Sequence, residues 1–121
     1  MVRLKIEEKE YGLRMDMYAL EQIEEAFGSI DAMFRKVDGG GSVKTIGTLF
    51  KIMANAALAY EGKEETVTGN ELKRLRIAAI NGVGTAVRAA IDEGMKSETT
   101  DGEEADDEVY DVYLAEIESK N

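Results

Sequence analysis

The sequence contains no cysteine, no histidine and no proline among its 121 residues. Without cysteine there is no disulfide, no thiolate nucleophile and none of the common structural zinc sites, as is typical of proteins of a reducing cytoplasm. The absence of histidine removes the usual general base and the commonest metal ligand. The absence of proline is consistent with a chain built mainly of helices. Together these absences predict a protein that acts by binding, with neither catalytic residues nor a cofactor.

Long apolar runs are also missing. No run approaches the roughly 18 residues of a membrane-spanning helix, and the first residues contain no apolar signal-peptide segment. The pI is near 4.5, whereas nucleic-acid-binding proteins concentrate basic residues on one face. We therefore expect a soluble, intracellular protein that binds neither membranes nor nucleic acid.

The negative charge is concentrated at the C-terminal end of the chain. Residues 97–121 contain ten acids and one base, which account for −9 of the net charge of −10. Residues 1–96 are therefore nearly neutral and predict one globular domain. Residues 97–108 have only Ala105 to bury and predict an acidic flexible linker. Residues 109–121 return to helical spacing of apolar side chains and predict a C-terminal amphipathic helix.

The N-terminal residues alternate between apolar and polar side chains. This period of two, interrupted by a polar break at residues 8–10, predicts a β-hairpin with one buried face. The apolar members of the alternation are Val2, Leu4, Ile6, Tyr11, Leu13 and Met15.

About four helices are predicted to follow the hairpin, which makes the expected fold mainly α within an α+β class. Asp16 and Ser29 are suitable N-caps for the first two helices, and Gly28 is a suitable end for the first. Residues 43–60 form the clearest long helix, with an apolar stripe from Val43 to Tyr60.

The fourth predicted helix begins at a capping box. Thr68 is followed three residues later by Glu71, and an apolar stripe then runs toward Gly94, with a possible break at residues 76–78. Gly82 and Gly84 lie on or beside that stripe, so we expect another helix to approach its backbone closely there.

The predicted core combines apolar residues from the first, third and fourth helices. The methionines on apolar faces are assigned to this core in preference to a methionine-rich binding groove. The residues predicted to be buried together are Leu20, Ile23, Phe27, Leu49, Phe50, Met53, Leu72, Ile80, Val83 and Val87.

Two loops superficially resemble ligand-binding motifs. Residues 38–45 place Lys44 and Thr45 after three glycines, but Val43 stands where a phosphate-binding loop needs glycine and a helix precedes the loop. Residues 101–108 are acidic, but Gly102 directly follows the first acid and the spacing of a calcium loop is absent. An ordinary helix–helix loop and an acidic linker describe these segments better.

The candidate binding residues lie in the C-terminal segment. Tyr110, Tyr113, Leu114 and Ile117 form an amphipathic end piece beyond the linker. This piece either docks on its own domain or presents a helix to a groove on a partner or a sister subunit. The second interpretation predicts that truncation after Met95 leaves a folded domain with little change in its unfolding midpoint.

Five segments share packing and capping patterns that extend from the hairpin to the C-terminal end. They are residues 13–29, 49–57, 68–72, 90–95 and 113–117. Through these segments much of the chain resembles the tail assembly chaperones of long-tailed (siphovirus-type) bacteriophages and prophages of Gram-positive bacteria.

The resemblance implies a non-catalytic function in the host bacterial cytoplasm. Members of that family bind the tape measure protein, keep its apolar helices soluble, recruit tail tube subunits and are not expected in the mature virion. Self-association is a further expected interaction. The alternative is a small acidic regulatory or inhibitory protein that mimics nucleic acid and binds a basic protein surface through its acidic run.

Overall fold

The computed structural model describes residues 1–96 and 109–112. Within these residues the chain forms four α-helices and a three-stranded sheet, which is an α+β fold dominated by helices. The predicted acidic linker, residues 97–108, and most of the predicted C-terminal helix, residues 113–121, lie outside the described residues.

The N-terminal hairpin is confirmed. Strand β1 (Val2–Ile6) pairs antiparallel with strand β2 (Lys9–Leu13), and Val2 lies opposite Leu13. The turn comes slightly earlier than the predicted polar break, at Glu7, whose φ of 58° lies in the left-handed region. Because the strands alternate in burial, the apolar side of the hairpin faces the helices.

The prediction of a helix starting at Val109 is wrong. Residues Val109–Asp111 form a third strand, β3, which pairs parallel to β1, and the next residue, Val112, is completely buried. Val112 follows the strand directly and has a helical backbone, so a helix in this segment begins no earlier than residue 112. The alternative in which this segment docks on its own domain therefore holds for residues 109–112.

The first two helices begin and end where the sequence predicts. Helix α1 (Met17–Phe27) is capped by Asp16, whose carboxylate accepts a hydrogen bond of 3.0 Å from the Ala19 amide. Helix α2 (Ile30–Asp38) is capped in the same way by the Ser29 hydroxyl. Gly28 separates the helices with a φ of 93°, a backbone conformation that favours glycine.

Helices α3 (Val43–Tyr60) and α4 (Ile80–Met95) form the centre of the fold. The α4 helix is shorter than predicted, because residues 61–79, the connector, contain only two short 3₁₀ turns, Asn70–Leu72 and Ile77–Ala79. Glu71 does accept hydrogen bonds from the Thr68 and Gly69 amides, so the capping chemistry is present but starts a 3₁₀ turn.

One half-buried asparagine side chain, that of Asn55, holds the connector against α3. The Asn55 amide donates to the Val67 carbonyl at 2.9 Å and accepts from the Val67 amide at 2.7 Å. Val67 is itself buried, so its backbone groups need these partners. The connector is thereby held across the outside of α3.

The core lies between the sheet and the α3–α4 pair. Phe50 is fully buried and meets the Tyr11 ring edge-on at 5.4 Å between centroids. Of the predicted core, six residues are buried, Phe27, Leu72 and Ile80 pack partly buried against it, and Leu20 is only half-buried. The six buried residues are Ile23, Leu49, Phe50, Met53, Val83 and Val87.

The close backbone approach expected at Gly84 is found at Gly94 instead. A Cβ atom on Gly84 would meet only the side-chain ends of Arg88, at 3.3 Å, and Ile46, at 3.8 Å. A Cβ atom on Gly94 would collide with the Cβ atom and the carbonyl oxygen of Met15. The C-terminal turn of α4 therefore needs glycine because the β2–α1 connection crosses it there.

Candidate partner-binding surface

Of the four predicted binding residues, the structure describes only Tyr110. Tyr110 lies on β3, half-buried against the core, with Leu4 of β1 as its register partner. Tyr113, Leu114 and Ile117 lie outside the described residues, so their role as binding residues stays a prediction. The described residues offer a further candidate surface, formed by exposed apolar side chains.

Four large apolar side chains are exposed at the end of the fold where α3 and α4 finish. Met17 is 71% exposed, Tyr60 61%, Met95 55% and Tyr18 46%. We call these four residues the methionine–tyrosine surface. Tyr60 ends the predicted apolar stripe of α3, but it follows the last buried residue of the helix, Ala57, by almost a full turn and lies beyond the core.

The connection from β2 to α1, residues 14–16, contacts both α3 and α4 at this surface. The Arg14 guanidinium lies over the Tyr60 ring, 3.7 Å from its centroid, and its Nε atom donates to the Asp16 carboxylate at 2.8 Å. The Arg14 amide donates to the Met53 carbonyl at 3.1 Å, which fixes the connection on α3. On the other side, Met15 touches Gly94 of α4. Tyr60, Met17 and Met95 are thus arranged around one short, anchored segment.

The N-terminus completes this end of the molecule. A Cβ atom on Gly12 would lie 2.7 Å from the Met1 sulfur and 3.2 Å from Ala57 of α3. The Met1 ammonium lies 3.7 Å from the Glu93 carboxylate of α4. Four of the six methionines of the chain therefore gather at this end: Met1, Met15, Met17 and Met95.

This surface has the chemistry of a binding site for apolar segments. Methionine side chains are flexible and polarisable, so they adapt to apolar partners of different shapes. Tyrosine rings add rigid contact area with a polar edge. The expectation that the methionines belong to the core is confirmed for Met33 and Met53, which are fully buried, but is wrong for Met17 and Met95.

Tyr11 is an ionisable residue whose environment changes its pKa. The pKa of Tyr11 is raised by burial and by the nearby Glu71 and Glu65 carboxylates. Among residues 1–96 and 109–112, no group of three or more acids is placed to hold a metal ion. Tyr11 lies in the hairpin against Phe50 and contributes to the core.

The sequence does indicate this surface, through the positions of Met17 and Met95 at the ends of helices. Helical periodicity alone does not reveal it. Met17 precedes the first buried residue of α1, Ala19, and Met95 follows the last buried residue of α4, Ile91, by a full turn. Residues at the first and last positions of a helix can lie outside the core even when they continue its apolar stripe. Large apolar residues at helix ends were therefore the features to examine.

Comparison with known proteins does not identify a function for this chain. No family model, curated protein or solved structure matches this chain. Within the described residues, no helix is both long enough and apolar enough to cross a membrane.

Proposed function

We propose that this protein is a non-catalytic assembly chaperone of a long-tailed phage, which binds apolar helices of the tape measure protein and recruits tail tube subunits. The observation that supports the proposal is the methionine–tyrosine surface, which exposes four large side chains, Met17, Tyr18, Tyr60 and Met95, at one end of the domain. Exposed apolar clusters of this kind mark interaction sites in soluble proteins.

The surface suits transient binding of an amphipathic helix. Such helices present apolar anchors at i, i+3, i+4 and i+7, and side chains with several rotatable bonds adapt to different anchor spacings. A holding protein needs tolerance of this kind because a long tape measure offers many different helical segments. Binding through a few flexible side chains also allows release once tail tube subunits cover the same helices.

The acidic segment has a complementary role in this proposal. Residues 97–108 begin two positions after Met95 and contain seven acids and no base. Negative charge beside a bound apolar helix keeps the complex soluble, because complexes of like charge repel each other. The proposed site of action is the host bacterial cytoplasm during assembly, with the chaperone absent from the finished virion.

Co-expression with the tape measure protein of the same phage tests the proposal. We expect the tape measure protein to move from the insoluble to the soluble fraction and to co-purify with the chaperone. The double variant Met17→Gln/Met95→Gln removes apolar surface at nearly constant side-chain volume and should return the tape measure protein to the insoluble fraction. Solubilisation that is equally strong with the variant would contradict a role for this surface.

The acidic run also supports a second candidate function, the inhibition of a nucleic-acid-binding protein by mimicry. In that case the seven acids of residues 97–108 form the active part and the methionines are irrelevant. Replacing those acids by Asn and Gln separates the functions. The chaperone should still capture the tape measure protein, with lower solubility of the complex, whereas a nucleic-acid mimic should lose all binding to its basic partner.

A further inference from the structure

Two large aliphatic side chains are exposed at the end of the fold where α3 and α4 begin. Val43, the first residue of α3, is 65% exposed, and Ile77, in the 3₁₀ turn that leads into α4, is 88% exposed. Exposed aliphatic residues are common when they stand alone, whereas a contiguous exposed patch indicates an interaction site. These two residues lie on the two sides of one groove.

The groove runs between the first turns of α3 and α4. Val43 and Ile46 line its α3 side, Ile80 lines its α4 side, and its volume is about 210 Å³. Gly84 lies at its base, where a Cβ atom would be 3.8 Å from the Ile46 side chain. Ile77 precedes Ile80 by three residues in a 3₁₀ turn that continues into α4, so the two side chains share one face. We call these five residues the aliphatic groove.

A groove of this size accommodates an aliphatic side chain from a partner. An engineered apolar cavity of about 150 Å³ in another protein already binds benzene. The exposed side chains of Val43 and Ile77 extend the contact area beyond the groove itself. A segment with two or three aliphatic anchors at helical spacing would therefore cover all of these side chains.

Three exposed bases border the aliphatic groove: Lys44, Lys73 and Arg74. Lys44 directly follows Val43 on α3. Arg74 precedes Ile77 by three residues, so the Cα atoms of this pair lie within about 11 Å of each other. The aliphatic groove thus has positive charge near both of its sides.

The connector is held against α3 close to two of these bases. A Cβ atom on Gly47, one turn after Val43, would lie 3.9 Å from the Leu72 side chain. Lys73 and Arg74 follow Leu72 directly in the chain. The contact at Gly47 therefore places both bases near the first turns of α3.

These three bases are available to an external partner. Among the ion pairs within residues 1–96 and 109–112, none involves any of the three. The two segments that carry them, residues 42–60 and 72–91, contain no acid. Positive charge beside an apolar groove favours a partner whose apolar anchors are flanked by acids.

Other charged residues nearby have partners within the domain. Arg88 also lines the groove, but it donates to the Gly40 carbonyl at 3.1 Å and borders a second cleft together with Asp38 and Asp92. The carboxylate of Glu71 accepts hydrogen bonds from amides of the connector itself. The charge complementarity therefore depends on the three bases alone.

We infer that the aliphatic groove binds an acidic amphipathic helix of another protein. Its aliphatic anchors cover Val43, Ile77 and the groove between them, and its acids face the three bases. Apolar contact supplies most of the affinity, whereas charge selects acidic helices over basic ones. The methionine–tyrosine surface lies about 27 Å away along α3, so both surfaces can be occupied at once. This interaction is independent of the proposed chaperone function.

Two synthetic peptides test the inference with the full-length chain. The acidic peptide is a helix of about 15 residues with leucines at i, i+3, i+4 and i+7 and with glutamates among alanines on its other face. The basic peptide has lysine in place of each glutamate. In fluorescence anisotropy, the acidic peptide should bind at least about tenfold more tightly than the basic one. This difference should shrink when NaCl is raised from about 50 to 300 mM.

Variants of the groove should weaken binding of the acidic peptide through lost apolar contact. Val43→Gln/Ile77→Gln should lower its affinity about tenfold. Both side chains are more than half exposed, so the melting temperature should stay close to that of the wild type. The matched control Met17→Gln/Met95→Gln changes exposed apolar residues at the other end and should leave the affinity unchanged.

Variants of the three bases should change the preference between the peptides. Lys73→Glu/Arg74→Glu should weaken binding of the acidic peptide about tenfold at low salt and strengthen binding of the basic one. The control Lys9→Glu/Lys63→Glu makes the same change in net charge at lysines that pair with Glu65 and Glu61 and should have a smaller effect.

Nuclear magnetic resonance locates the bound peptide on the isotope-labelled chain. The acidic peptide should shift amide signals of residues 43–47 and 77–84. No binding of the acidic peptide, equal affinity for the two peptides, or shifts confined to other parts of the chain would each overturn the inference. Dimerisation of the free chain through residues 43–47 and 77–84 would assign the groove to a second copy and would also overturn it.

Discussion

The two ends of the α3–α4 pair carry different surfaces. The N-terminal ends of both helices lie together beside exposed bases that include Lys44 and Arg76, whereas their C-terminal ends lie together at the methionine–tyrosine surface, about 27 Å away along α3. Residues 1–96 have a net charge of only −1, so neither surface is visible in the composition. The comparison shows that a nearly neutral domain can place the methionine–tyrosine surface and exposed bases at opposite ends of the same two helices.

Both surfaces depend on one shared core, and breaking that core should have the largest effect. Phe50 is fully buried and contacts Tyr11 edge-on. Phe50→Ala should lower the free energy of unfolding by about 3–5 kcal/mol, because transfer energy is lost and a cavity remains. Urea unfolding followed by circular dichroism measures this change, and a loss below about 1 kcal/mol would contradict the position of Phe50 in the core.

The next largest effect concerns the C-terminal strand, which borders the methionine–tyrosine end. Truncation after Lys96 removes β3 and the fully buried Val112. The free energy of unfolding should fall by about 2–3 kcal/mol, since burial of one valine alone contributes about 1.5–3 kcal/mol. This reverses the prediction from sequence that truncation leaves the unfolding midpoint unchanged.

Two point variants in the full-length chain check that interpretation. Val112→Asp should reproduce most of the loss in thermal stability, because a carboxylate would be placed in the core. The same change at Val109, which is 51% exposed on the same segment, should have little effect. Equal melting temperatures for the two variants would show that β3 is not docked in solution.

Alanine substitutions at Gly94 and Gly84 compare the packing at the two ends of α4 directly. Gly94→Ala should destabilise the protein by about 1–3 kcal/mol, because its methyl group collides with Met15. Gly84→Ala has room and should be neutral or stabilising by up to about 1 kcal/mol through better helix propensity. Melting temperatures that rank the two variants in the opposite order would show that the packing around α4 is misassigned.

The smallest expected effect is a pH dependence that originates at Tyr11. Its pKa is raised in the folded state by burial and by Glu71 and Glu65, so the folded protein holds the phenol proton more tightly than the unfolded chain. Stability is therefore fully present below the ordinary tyrosine pKa of about 10 and falls as the pH rises above it. Unfolding midpoints between pH 8 and 11 should show this fall, and Tyr11→Phe should reduce it.

Local features of the fold were predictable from sequence, because they depend on neighbouring residues. The hairpin around Leu4 and Leu13 and the caps Asp16 and Ser29 appear as predicted. The apolar stripe of α3 is buried in its middle part, from Ile46 to Ala57. Each follows from backbone chemistry within a few positions along the chain.

Features that depend on distant parts of the chain were not predictable in the same way. Residues 109–111 fit helical spacing as well as strand spacing, and only the open edge of β1 selects a strand. The exposure of Met17 and Met95 likewise depends on where the core ends relative to α1 and α4. Helical spacing alone cannot locate that limit, so the candidate surface was missed.

Affinity for an apolar helix of the tape measure protein tests the central claim most directly. Isothermal titration calorimetry would compare Met17→Gln/Met95→Gln with Val43→Gln/Ile77→Gln, which changes two apolar residues at the opposite end that are also more than half exposed. We predict at least about tenfold weaker binding for the methionine variant, a loss of about 1.4 kcal/mol, and wild-type affinity for the other. Equal losses, or a loss confined to the Val43/Ile77 variant, would contradict the assignment of the methionine–tyrosine surface as the binding site.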